Sequence, residues 1–114
     1  MPESQIELDN SRKENLGKFL KAMPGLAKQL GSQMEEAYKD GALDSKTKRL
    51  IAMAIALGTG CTNCALSQVR GALDMGATTE EILETIGVVS SMRGTTGVAE
   101  SLRIIQLLDE LEKL

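Results

Sequence analysis

The chain contains no histidine. That single absence removes the commonest general base, the commonest metal ligand and every Ser–His or Cys–His nucleophile scheme. Tryptophan is also missing, and Phe19 and Tyr38 are the only aromatic residues. A core must therefore be assembled from Leu, Ile, Val, Ala and six Met, which suits closely packed helices better than strands. No basic block is present that would neutralise a run of phosphates, and the net charge is −3, so no nucleic acid is expected as a partner. The longest apolar run, Leu50 to Leu57, is far too short to span a bilayer, so no membrane partner is expected either. The N-terminus lacks the basic-then-apolar pattern of a secretory signal, and a cytoplasmic location is the expectation.

What is present is helical periodicity along most of 114 residues, the length of one domain. Residues 1–10 are polar and non-periodic and read as a loose N-terminal arm; residues 11–114 read as a single helical domain. Leu16, Phe19, Leu20 and Met23 share a helical face, and Pro24 breaks it or opens the next helix. That second helix carries Leu26, Ala27, Leu30, Met34 and Ala37 on one side, and Gly41 is the expected left-handed cap beyond it. Asp44 is the expected N-cap of a third helix whose second half is apolar all round, which predicts burial on every side. A fourth helix starts near Cys61 after Gly58, Thr59 and Gly60. A fifth opens on the capping box Thr78 to Glu81, and a sixth spans about 98–112. No segment alternates with period two, so the fold class is all-α. A small core of this kind is commonly completed by self-association.

The one constellation carrying chemistry is Cys61-Thr62-Asn63-Cys64, a C-x-x-C at a predicted helix start. Two Cys at i and i+3 share a helix face, so their sulfurs can meet. Unpaired N–H groups and the partial positive charge of a helix N-terminus favour thiolate over thiol. Together these can lower a thiol from about 8.5 toward about 7, near the optimum for an attacking thiol in neutral solution. In a reducing compartment a close Cys pair is more often catalytic or metal-binding than a structural staple. Zinc or iron–sulfur sites want about four ligands, and this chain offers two Cys without His, so no metal or other cofactor is expected. Gly58-Thr59-Gly60 lacks the third glycine of a dinucleotide fingerprint. Two inert cysteines in an Ala-rich helix are the bland alternative.

From about Asp44 to Glu84 the sequence resembles the carboxymuconolactone decarboxylase family in its AhpD-like alkylhydroperoxidase branch. The resemblance is carried by LDSKTKRLIAMA from Leu43 to Ala54, by Cys61-Thr62-Asn63-Cys64, by VRGAL from Val69 to Leu73, and by GATTEEILE from Gly76 to Glu84. It implies a bundle of about six helices assembled as homo-oligomeric trimers or hexamers. It also implies peroxidase activity in peroxide defence, with Cys61 and Cys64 cycling between dithiol and disulfide against a peroxide substrate and a thiol or disulfide reductant protein. The chain departs from the branch at three positions. Arg49 stands where the pattern has a Glu, Gln68 where it has a His, and Asn63 where many members have a His. The family's proton relay is thus absent, and Arg49 and Gln68 become candidates for static support of a thiolate, one as a fixed cation and the other as a hydrogen-bond donor. Which sulfur attacks stays open. A non-catalytic or redox-sensing oligomer, and a lyase of the decarboxylase type, are the alternatives.

Overall fold

The computed structural model describes residues 3–114, and these form six α-helices: α1 (Gln5–Ala22), α2 (Pro24–Tyr38), α3 (Ser45–Thr59), α4 (Thr62–Asp74), α5 (Thr79–Arg93) and α6 (Thr95–Glu110). No strand occurs among the described residues. The all-α architecture expected from the periodicity is what forms.

The core belongs to α3–α6. Met53, Leu57, Leu66, Val69, Ile82, Ile104, Leu107 and Leu108 are completely or almost completely buried there, with small Ala56, Ala65 and Ala72 letting helix backbones approach. α3 and α4 pack most extensively, because only Gly60 and Cys61 separate them. Gly60 takes the left-handed conformation (φ +78°) that a β-carbon disfavours, and the N–H groups of Gly60 and Cys61 both donate to the carbonyl of Ala56. Asp44 caps α3 by accepting from the Thr47 N–H at 2.7 Å. The capping box at α5 forms as the sequence predicts, with Thr78 and Glu81 each accepting from the other's backbone N–H. Arg93, at the end of α5, donates to the Leu57 carbonyl at 2.9 Å and satisfies an orphan acceptor near the end of α3.

Several sequence expectations are corrected. Residues 5–10 are not a loose arm but the first turns of α1; residues 1 and 2 of that expected arm lie outside the described residues. A local N-cap, in which the Ser4 hydroxyl accepts from the Glu7 N–H at 3.2 Å, and long-range polar contacts order this segment. Glu110, at the end of α6, accepts from the N–H groups of Gln5 (2.9 Å) and Ile6 (3.0 Å) and from the hydroxyl of Ser4 (2.7 Å). These bonds hold its carboxyl well below the usual range, at about 2. No hydrophobic pattern announces such a cap. Gly41 does not adopt a left-handed conformation; α2 ends at Tyr38 with Lys39 extended, and the positive-φ glycines are Gly60, Gly76 and Gly94. The apolar half of α3 is not buried all round, since Ile51 and Ile55 face outward. On α6 the stripe of Ile104, Leu107 and Leu108 faces the core, while Leu102 is exposed.

The largest difference concerns α2, which buries none of its residues. Leu26, Leu30 and Met34 remain exposed, as do Leu16, Phe19 and Met23 at the distal end of α1. The α1–α2 hairpin therefore extends from the core. The radius of gyration is 14.4 Å, against about 13 Å for a fully compact chain of this length.

Candidate functional site

The connection that ends α3 delivers Cys61 to the N-cap of α4 and Cys64 to its first turn. The two sulfurs are bonded as a disulfide, with Cα atoms 5.3 Å apart. Their surroundings differ. The Cys61 sulfur accepts a hydrogen bond from the Cys64 N–H at 3.2 Å, the role a Ser or Asp side chain plays in an ordinary N-cap. Cys64 is exposed, whereas Cys61 is half-buried. When the disulfide opens, the N–H donor and the helix N-terminus favour negative charge on the Cys61 sulfur.

Cys64 lies in an open groove of about 570 Å³ between α1 and the start of α4. Leu8, Leu16 and Phe19 give it an apolar wall, and Arg12, Asn15, Asn63, Ser67 and Gln68 supply polar groups. The α1 side of this groove is invisible to local sequence reasoning. Arg12 and Cys64 are 52 positions apart, and only the docking of α1 onto α4 brings them together. The same docking explains the buried Asp9, which meets Arg12 at 2.8 Å within α1 and Arg70 of α4 at 3.6 Å.

The two supporting residues proposed from the sequence are brought together, but not in the way a direct cation–sulfur contact requires. Arg49 Nη1 donates to the side-chain oxygen of Gln68 at 3.1 Å. The Arg49 guanidinium also lies over the Tyr38 ring, 3.8 Å from its centroid, and its stem crosses Gly71 so closely that a β-carbon there would stand 3.1 Å from Cδ. Gln68 lines the groove beside Cys64; Arg49 does not. Because guanidinium only donates, the Gln68 oxygen must face Arg49, which leaves the Gln68 amide N–H groups to serve the groove. Arg49 thus touches the groove's lining only through Gln68, and it ties the end of α2 to α3 and α4. Asn63, one residue before Cys64, is exposed and also lines the groove.

Among the described residues no three Cys, Asp or Glu side chains cluster closely enough to hold a metal ion. None of the helices is long and apolar enough to cross a membrane.

Comparison with known proteins agrees with this architecture. Residues 24–107 match the model of the carboxymuconolactone decarboxylase family. A crystal structure of an apo-form carboxymuconolactone decarboxylase family protein from Legionella pneumophila superposes with a TM-score of 0.86 and 35% identity, covering 93% of this chain and 95% of that one. A crystal structure from Thermotoga maritima superposes with a TM-score of 0.78 at 25% identity, covering 90% of each chain. Among curated relatives, an uncharacterised protein encoded in the cox locus of Paracoccus denitrificans is 43% identical over 75 residues, 66% of this chain and 68% of its own length. An uncharacterised protein of Cupriavidus necator is 30% identical over 95 residues, 83% of this chain and 84% of its own.

Proposed function

The chain belongs to the carboxymuconolactone decarboxylase family, and from that premise we propose that it is a thiol–disulfide oxidoreductase serving peroxide defence through Cys61 and Cys64. The observation that carries this reading is the asymmetric pair: one exposed sulfur in a groove, and one sulfur at a helix N-cap receiving a backbone N–H.

Cys64 is the entry sulfur. A thiolate from a reductant attacks its Sγ, the Cys61–Cys64 bond breaks, and the electron pair leaves on Cys61, whose thiolate is held by the Cys64 N–H. A better-stabilised leaving thiolate departs faster. A second reductant thiolate then attacks the reductant's sulfur in the mixed disulfide, releasing an oxidised reductant and the Cys64 thiolate. In the opposite direction the Cys64 thiolate attacks the terminal oxygen of a hydroperoxide, the O–O bond breaks, and the alkoxide takes a proton from water and leaves as the alcohol, with a sulfenic acid on Cys64. Cys61 displaces the hydroxyl as water and restores the disulfide. Gln68, with its oxygen fixed by Arg49, presents N–H donors toward the groove and supports negative charge there, in place of a shuttled proton. Such a pair needs a compartment that returns it to the dithiol, and we place the protein in the cytoplasm.

The test is consumption of a hydroperoxide with dithiothreitol as the electron donor. The wild type is expected to turn over, and Cys61→Ser and Cys64→Ser are each expected to lose turnover. Turnover that survives both substitutions would exclude the reading; reversible oxidation of the wild type without turnover would favour a redox sensor instead.

We propose in addition that the protein is a homo-oligomer, a trimer or hexamer. An isolated helix of 15 residues is marginal in water, and α2 buries nothing within its own chain. Ile55, Val88 and Met92 form a second exposed apolar patch, on α3 and α5. A second copy resting on these faces supplies the missing cover.

A further inference from the structure

Arg12, which lines the entry sulfur's groove, is one of three cations gathered on a single buried carboxylate. Asp9, only 1% exposed, is approached by Arg12 at 2.8 Å, Lys13 at 3.3 Å and Arg70 at 3.6 Å. On the far side of Gln68, Arg49 has no carboxylate partner among the described residues; its contacts are the Gln68 oxygen and the Tyr38 ring. This local positive excess runs against the net charge of −3 for the whole chain. Arg12 is the cation that reaches the groove itself. Its bond to Asp9 uses Nε, and among the described residues its two Nη nitrogens make no hydrogen bond and are not sealed from solvent. A guanidinium pinned at Nε by a buried carboxylate keeps its position while offering two further donors, an arrangement suited to receiving a carboxylate. Leu16 and Phe19 continue the same wall as apolar surface, and about 570 Å³ is the size of a small-molecule site.

We propose that this groove selects low-molecular-weight thiols that carry a carboxylate. The carboxylate rests on the Arg12 Nη groups, the hydrocarbon part lies on Leu16 and Phe19, and the sulfur meets Cys64. The proposal rests on the exchange reading above and names its reductant by class. The reaction balances as that exchange does: two thiols give one disulfide, and two electrons pass to the Cys61–Cys64 pair. A guiding charge of this kind acts on encounter and register, so it changes the relative rates of differently charged thiols.

The experiment measures reduction of the wild-type disulfide by 3-mercaptopropionate, 2-mercaptoethanol and cysteamine, which are anionic, neutral and cationic at neutral pH. Rates are expressed per thiolate and read by alkylation and intact mass after quenching. The ratio of the mercaptopropionate rate to the cysteamine rate is then compared between proteins, which cancels the intrinsic reactivity of each thiol. Arg12→Gln is expected to lower that ratio about three- to tenfold. Arg12→Lys, which keeps a cation over Asp9, is expected to retain most of it. Asn15→Asp alters the groove without touching the Asp9 cluster, and it is expected to lower the ratio as well. In the wild type the ratio is expected to shrink as salt rises from about 10 mM to about 1 M and the screening length falls from about 30 Å to about 3 Å. A ratio unchanged by Arg12→Gln overturns the charge selection by Arg12 while leaving exchange intact. Failure of every thiol to reduce the pair overturns the exchange reading itself.

Discussion

The α3–α6 bundle and the α1–α2 hairpin are built from the same kind of periodic sequence and reach opposite ends. In the bundle, Leu57, Leu66, Ile104 and Leu107 are sealed by one another. In the hairpin, Leu16, Phe19, Leu26, Leu30 and Met34 recur at equally good helical spacing and stay exposed. Periodicity states that a face is apolar, but not whether the same chain covers it. The groove beside Cys64 runs along the border between the two regions, with one wall from α1 and the other from α4. The site is therefore held by a rigid helix start on one side and by a hairpin with fewer contacts on the other.

The strongest way to break this comparison is to truncate a leucine in each region. Leu107→Ala removes a fully buried side chain and is expected to cost about 2–5 kcal/mol in chemical denaturation. Leu30→Ala, in dilute conditions where the chain stands alone, is expected to change stability by less than about 0.5 kcal/mol. In sedimentation at higher concentration Leu30→Ala is expected to be the substitution that weakens the proposed self-association. Equal costs in dilute solution would show that α2 is packed as firmly as the core.

A smaller effect is expected at the tie between the regions. Arg49→Ala removes the stacking on Tyr38 and the bond to Gln68, for a cost of about 1 kcal/mol. Amide hydrogen exchange is expected to accelerate in α2 and not in α5 or α6. The pH profile of thiol alkylation in the reduced protein is expected to move upward because Gln68 loses its fixed orientation; an unmoved profile would sever Arg49 from the chemistry.

The smallest effect lies in acid. Glu110 is held near 2 against an ordinary value near 4.5, so its stabilisation is complete above the ordinary value and fades as pH falls toward about 2. Glu110→Gln is expected to flatten that part of the stability profile. The difference between the two proteins isolates this group, since Asp44 and Glu81 are also shifted downward and remain in both.

Local chemistry decided how much was legible beforehand. The caps at Asp44 and Thr78, the break before Cys61 and the pairing of Cys61 with Cys64 are set by residues within a few positions of one another, and pattern reading finds them. The helical start at Gln5 has a local signal in Ser4 and Glu7, since the Ser4 hydroxyl accepts from the Glu7 N–H, but its second cap, Glu110, lies more than a hundred residues away and has none. Arg49 and Gln68 were identifiable as substitutions at two positions of a family pattern. That they bind each other rather than the sulfur follows from the Tyr38 ring and the space at Gly71. Arg12 was unmarked for the same reason as Glu110: its importance comes from packing.

The unequal roles of the two cysteines are tested most directly by trapping. Each single-cysteine variant is incubated with oxidised glutathione, and the mixed disulfide is quantified by intact mass against time. Cys61→Ser, which keeps the groove sulfur and removes the one that would displace the adduct, is expected to accumulate the mixed disulfide at least about tenfold faster than Cys64→Ser. Faster trapping on Cys64→Ser would reverse the assigned roles, and no adduct on either variant would contradict an exchange site altogether.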